Sequence, residues 1–174
     1  MTTSGVIPSG TSVRSSVRAT QREDGVCAFW LGGRCLGLDV SMVGEVVSLD
    51  ATTFVPNARP AVRGVFNLRG APIVVLDLGE VLQLGDRVAT SHSGKIGLIL
   101  RAGDLVAAVQ VDRVEAVIPP GRAQFSPSAD QAEHRAVLGL LDDRAASGRV
   151  ITVLDPEILF DSLQALRYLT DADE

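Results

Sequence analysis

The stretch Arg63-Gly-Val-Phe-Asn-Leu-Arg-Gly-Ala-Pro-Ile-Val-Val-Leu-Asp-Leu78 decides how the rest of the chain is read. Its apolar runs, rich in β-branched residues and Leu, are divided by Gly70 and Pro72, which predicts two short strands around a turn. The polar step Asn67–Arg69 interrupts them. Flanked by apolar neighbours, both side chains are expected to find partners, because a buried polar group without one costs about 1–3 kcal/mol. Arg69 then has two readings. It pins the turn, or it turns a planar fork of donors toward a carboxylate on a partner.

Outward from this stretch, 174 residues and 18.3 kDa suit one domain, or two small lobes sharing a core. The chain is 46% hydrophobic but only 4% aromatic, so the core is built from Val, Leu, Ile and Ala. A net charge of −5, with basic residues scattered singly, argues against nucleic acid as a partner. No apolar run approaches the ~18–20 residues of a membrane-spanning helix. The first residues also lack the basic-then-apolar order of a signal peptide, so a cytoplasmic location is expected.

The chain before and after the central stretch divides into short elements. Residues 1–24 are rich in Ser, Thr, Gly and Arg and are expected to be a flexible tail, in which Arg14, Arg18 and Arg22 share a helical spacing. Phe29 to Leu36 reads as a hairpin with a Gly32-Gly33 turn. Pairing outward from that turn sets Trp30 opposite Cys35 and Cys27 opposite Leu38. The two cysteines then point to opposite faces and form no disulfide. Val40, Val43 and Val47 recur at helical spacing after Asp39 or Ser41 as a cap, so a short helix is expected there. Residues 49–60 form an extended connector, Glu80–Leu82 a helical turn, and 85–95 a polar linker. A second hairpin is expected at Ile96–Leu100 and Leu105–Val111. A strand to Ile118 follows, then a loop from Gly121 to Glu133, and strands at Val137–Leu141 and Val150–Leu154 joined by a polar loop. Asp155-Pro156-Glu157 is a helix start, with Leu159, Leu163 and Leu166 on one face of a helix over 156–169.

The halves echo one another. Gly37 to Val47 resembles Gln110 to Ile118, and Val75-Leu-Asp-Leu-Gly-Glu-Val-Leu82 resembles Val153-Leu-Asp-Pro-Glu-Ile-Leu159 in the same order. Two similar β lobes with short strands, packed together to hide their edges, are expected, with a groove between them for a partner. Catalytic patterns are missing: no phosphate loop, no nucleophile elbow and no His near a cysteine. His92 and His134 sit alone, so no metal and no cofactor are expected. Asp39, Asp77, Asp112 and Asp155 each follow an apolar run, and are read as strand-end or helix-cap residues.

The order of Leu36-Gly-Leu-Asp-Val40, Val43-Gly-Glu-Val46, Pro56-Asn-Ala-Arg-Pro60, Arg63-Gly-Val-Phe-Asn-Leu-Arg-Gly70 and Pro72-Ile-Val-Val-Leu-Asp-Leu78 resembles the CheW-like coupling proteins of bacterial chemosensory arrays. The resemblance covers about residues 25–166. It implies a mainly β fold of two intertwined SH3-like five-stranded barrels over residues 25–170, with short helices and a C-terminal helix. It also implies a non-enzymatic adaptor. Its partners would be the regulatory domain of a CheA-type sensor histidine kinase and the cytoplasmic tip of methyl-accepting chemoreceptors, at membrane-bound receptor arrays. Carried over by position, the partner-binding residues are Val43 and Glu45, then Gly64 and Arg69, and Ile96 as a groove-lining residue of the second lobe. Glu45 and Arg69 are expected to pair across the first lobe. A module that fills array rings without touching receptors is the alternative. Gly44, Ala108 and Trp30 depart from the family pattern.

Overall fold

A computed structural model of the chain describes residues 24–82, 95–102, 105–128, 136–155, 159 and 161. The expected tail over 1–23, most of the polar linker and the tip of the second hairpin at Gly103-Asp104 lie outside them. So does most of the helix expected over 156–169, of which Leu159 and Asp161 are described and helical.

Among the described residues eleven strands follow one another: β1 (Val26–Leu31), β2 (Arg34–Asp39), β3 (Val43–Ser48), β4 (Val62–Leu68), β5 (Ala71–Asp77), β6 (Ile96–Ala102), β7 (Leu105–Val111), β8 (Arg113–Ile118), β9 (Gln124–Pro127), β10 (Val137–Asp143) and β11 (Arg149–Leu154). Between the strands the described residues include the single-turn helices α1 (Leu78–Val81) and α2 (Arg144–Ser147). The fold is mainly β, as expected.

The strands form two sheets, a six-stranded one in the order β8-β1-β2-β11-β10-β9 and a five-stranded one in the order β3-β6-β7-β5-β4. Each sheet is built around a hairpin from one half of the chain and completed by strands from the other half. The Val-Leu-Asp ends of β11 and β5 make the crossings. Val153 lies parallel to Gly37 on β2, and Val75 lies parallel to Ala108 on β7. The internal repeat is thus intertwined rather than split into separate beads.

Hydrophobic residues collect in three clusters. The largest joins the sheets, with Phe29, Leu31, Leu36 and Leu38 from the six-stranded sheet meeting Leu76, Leu98, Leu100 and Val109 from the other. The opposite face of each sheet has a cluster of its own, around Ala28, Cys35 and Ile151 in one and Val75, Ile99 and Ala108 in the other. Period-two alternation of buried residues on both faces explains how short strands supply all three.

The first hairpin has the expected register, Trp30 opposite Cys35 and Cys27 opposite Leu38, and both cysteines are free and buried. The organising stretch is the β4–β5 hairpin, closed by Arg69 and Gly70 with φ of 52° and 92°. Positive φ at both central residues is the turn that matches strand twist. The strand-end aspartates cap and tie. Asp39 accepts from the Ser41 amide, and Asp77 from the amides of Gly79 and Glu80. Asp112 accepts from the Gly32 amide in the first hairpin's turn.

Three expectations are corrected. The helix over Val40–Val47 is a 3-10 turn at Val40–Met42 followed by strand β3, in which Val43, Glu45 and Val47 are half-buried and their neighbours exposed. Spacings of three and four among valines fit a helix, but pairing with β6 gives β3 backbone partners that a single helical turn lacks. The loop over 121–133 contains β9, an edge strand that tolerates Pro127, and it brings that sheet to six strands rather than five. The polar connection before β11 holds α2, ended by Gly148 at φ 72°.

Candidate partner-docking site

All five candidate residues lie in the five-stranded sheet, including Ile96, which was expected in the other lobe. Strand exchange explains this, because β6 is taken into the sheet that β3, β4 and β5 complete. Within that sheet they separate into two places. Glu45 on β3 pairs with Arg69 and Val43 stands two residues before it, whereas Ile96 sits opposite Ser48, at the far end of β3.

The centre of the site is the Glu45 carboxylate. One oxygen accepts from the Arg69 guanidinium at 2.8 Å, and the other faces Arg101 of β6 at 3.8 Å. In a flat sheet, β3 and the β4–β5 turn would stand about 14–19 Å apart. The Glu45–Arg69 pair therefore requires the sheet to curl until its ends come within side-chain reach. The pairing expected from the sequence is present, but at the surface rather than among buried groups. The Arg69 side chain is 77% exposed and Glu45 is 25% exposed. Asn67 is exposed too, and its side-chain oxygen accepts from the Gly70 amide at 2.7 Å, which tightens the turn.

Magnitudes bear on the two readings of Arg69. An ion pair this exposed is worth roughly 0–1 kcal/mol. A non-glycine residue held at φ 52° costs about 1–2 kcal/mol. The pair does not offset its backbone, so stability alone does not account for an arginine here. An exposed arginine held at positive φ is thus a candidate docking residue.

Gly64 plays a different part. It is buried at φ 153°, and a Cβ there would lie 2.4 Å from the Thr53 carbonyl oxygen and 2.8 Å from Thr52. The connector packs on it directly, with Thr53 and Val65 exchanging backbone hydrogen bonds. Val43 and Ile96 are half-buried and pack against the large cluster between the sheets.

Arg101 escaped the sequence reading, although a signal for it was present in Gly44. An added Cβ at Gly44 would stand 2.7 Å from the Arg101 Nε and 3.1 Å from its Cδ. The missing side chain is the space that Arg101 occupies beside Glu45.

The rest of the surface offers little chemistry. Among the described residues, no group of three His, Cys, Asp or Glu is placed to hold a metal ion. Burial pushes both thiols up, and at Cys35 Arg149 works against that rise. Neither cysteine is the electropositive, accessible kind that acts as a nucleophile. No helix among the described residues is long and apolar enough to cross a membrane.

Comparison with known proteins agrees with this architecture. Residues 25–164 match the family model of the CheW-like domain. The chain is 27% identical over 134 residues to the chemotaxis protein CheW of Klebsiella aerogenes, covering 77% of this chain and 80% of that one. It is 26% identical over 138 residues to CheW of Rhizobium meliloti, covering 78% and 86%. The crystal structure of scaffolding protein TtCheW from Thermoanaerobacter tengcongensis superposes with a TM-score of 0.64 at 26% identity, over 80% of this chain and 93% of that one. With residues 25–164 matching the family model and the fold shared with a solved relative, the chain belongs to the CheW-like domain family.

Proposed function

We propose that this chain is a non-enzymatic chemotaxis adaptor that couples a CheA-type sensor histidine kinase to the cytoplasmic tip of methyl-accepting receptors. Family membership and the chemotaxis and scaffolding names of its relatives support the adaptor class. The observation that carries the coupling role is Arg69, exposed, held at positive φ, and oriented by Glu45 without a stabilising return. Val43, Glu45 and Arg69 form the receptor-facing surface. Gly64 shapes the hairpin that presents Arg69, and Ile96 lines the groove beyond. Residues 25–170 constitute the adaptor domain and residues 1–24 a tail outside it, working in the cytoplasm beside membrane-bound receptors.

Size exclusion of this protein with its kinase's regulatory domain and a receptor tip tests the role. A ternary complex that Glu45→Lys weakens, with the variant still folded, supports coupling. Kinase binding alone, indifferent to that change, would instead identify a ring-filling module.

A further inference from the structure

The Glu45 site holds two guanidiniums against one carboxylate, which leaves one positive charge in surplus on a chain of net charge −5. The surplus belongs mainly to Arg101. Arg69 makes a hydrogen bond to Glu45 at 2.8 Å, whereas Arg101 stands 3.8 Å from the other oxygen, beyond hydrogen-bond distance. Its side chain is 48% exposed and lies across Gly44, where a Cβ would meet it at 2.7 Å. A guanidinium laid on a glycine, attracted but not bound by its neighbour, is a preplaced donor fork.

We infer that Arg101 is a second specificity-determining residue of this site, set by Gly44 to receive an acidic side chain of the docking receptor tip. The inference rests on the coupling role proposed above and names the chemistry of its contact. Glu45 holds Arg69 for orientation, while Arg101 meets the incoming carboxylate. The positive surplus steers an acidic partner toward this edge against the chain's overall negative field.

The test titrates a receptor cytoplasmic-tip fragment into the full chain at two salt concentrations, with thermal unfolding as the check on folding. Arg101→Ala is expected to weaken binding about tenfold, the scale of one hydrogen bond between charged groups. It should also flatten the salt dependence of the affinity. Arg101→Glu should weaken binding further. Gly44→Ala leaves every charge in place but displaces Arg101, cheaply, because the atoms it meets belong to a flexible side chain. It should weaken binding in the same direction, and the Gly44→Ala, Arg101→Ala double variant should be no weaker than the worse single one. Wild-type binding with both Arg101 variants within about twofold of it would overturn the inference and leave the coupling role standing. Additive losses from Gly44→Ala and Arg101→Ala would also overturn it. A wild-type chain that ignores the tip would overturn the coupling role and this inference together.

Discussion

The two sheets use the same device to opposite ends. In each, a glutamate on an edge strand has two arginines beside it: Arg113 of its own strand and Arg149 of β11 at Glu115, Arg101 of the neighbouring β6 and Arg69 of the β4–β5 turn at Glu45. Glu115 on β8 is fully engaged: the Trp30 Nε1 donates to it at 2.7 Å, Arg149 pairs with it at 2.6 Å, and Arg113 stands at 3.5 Å. Arg113 also lies over the Trp30 ring, 4.7 Å from its centroid. Glu45 on β3 has one close arginine and one distant arginine. The Glu115 cluster ties β8 to β1 and β11, through an indole donor, a close arginine and a cation held on an aromatic face. The Glu45 cluster, with its arginines 77% and 48% exposed, is the one that the function proposed above assigns to recognition.

Substitutions can break that comparison, and the largest effect is expected where backbone itself is crowded. Gly64→Ala drives a Cβ into the Thr53 carbonyl and should cost roughly 2–4 kcal/mol. Denaturant unfolding checks this. A loss of receptor binding no larger than the unfolded fraction would assign Gly64 to the fold alone.

Next comes the Glu115 cluster. Trp30→Ala removes a half-buried ring, an indole donor and a cation–π contact, and should destabilise by about 2–3 kcal/mol. Binding by the molecules that remain folded should be unaffected, as measured by titration below the unfolding transition. Had Trp30 been part of the docking surface, affinity would fall with stability unchanged.

How much of this was legible in the sequence differs between the clusters. The first hairpin was readable to the residue pair, because Gly32-Gly33 is a local signal and alternation fixes register, whereas the β4–β5 hairpin was readable only as two strands around a turn. The aspartate caps were readable for the same reason. Strand exchange was only hinted at by the repeat, since the parallel contacts of β5 and β11 join residues far apart in the chain. β3 was misread because its identity as a strand depends on β6, about fifty residues away. Glu45 and Arg69 were found by resemblance and their pairing anticipated. Arg101 was not, because its relation to Gly44 exists only once β3 and β6 pair. Trp30 looked anomalous alone and is explained by Glu115, 85 positions later.

A smaller effect sharpens the view that Glu45 and Arg69 act as one unit. In a double-mutant cycle for receptor affinity, Glu45→Ala and Arg69→Ala should be non-additive by about 0.5–1.5 kcal/mol. Strict additivity would mean that Glu45 does not orient Arg69.

The smallest expected effect concerns surface pairs with no docking role. Lys95, hydrogen-bonded to Asp50, holds that carboxyl below its usual range. A carboxylate whose pKa is depressed by folding adds stability that is present above its unfolded pKa and fades as pH falls through the folded one. Because Asp50 is fully exposed, Asp50→Asn should move the unfolding midpoint at pH 7 by no more than about 1 °C and leave receptor binding unchanged.

The central claim is that Arg69 is kept for recognition at the expense of its own turn, and Arg69→Gly tests it most directly. Glycine relieves the positive φ, so the unfolding midpoint should rise by roughly 2–4 °C while affinity for a receptor tip falls at least about tenfold. A variant that loses stability yet binds the tip as tightly as the wild type would contradict the account, and Arg69 would then be a turn residue after all.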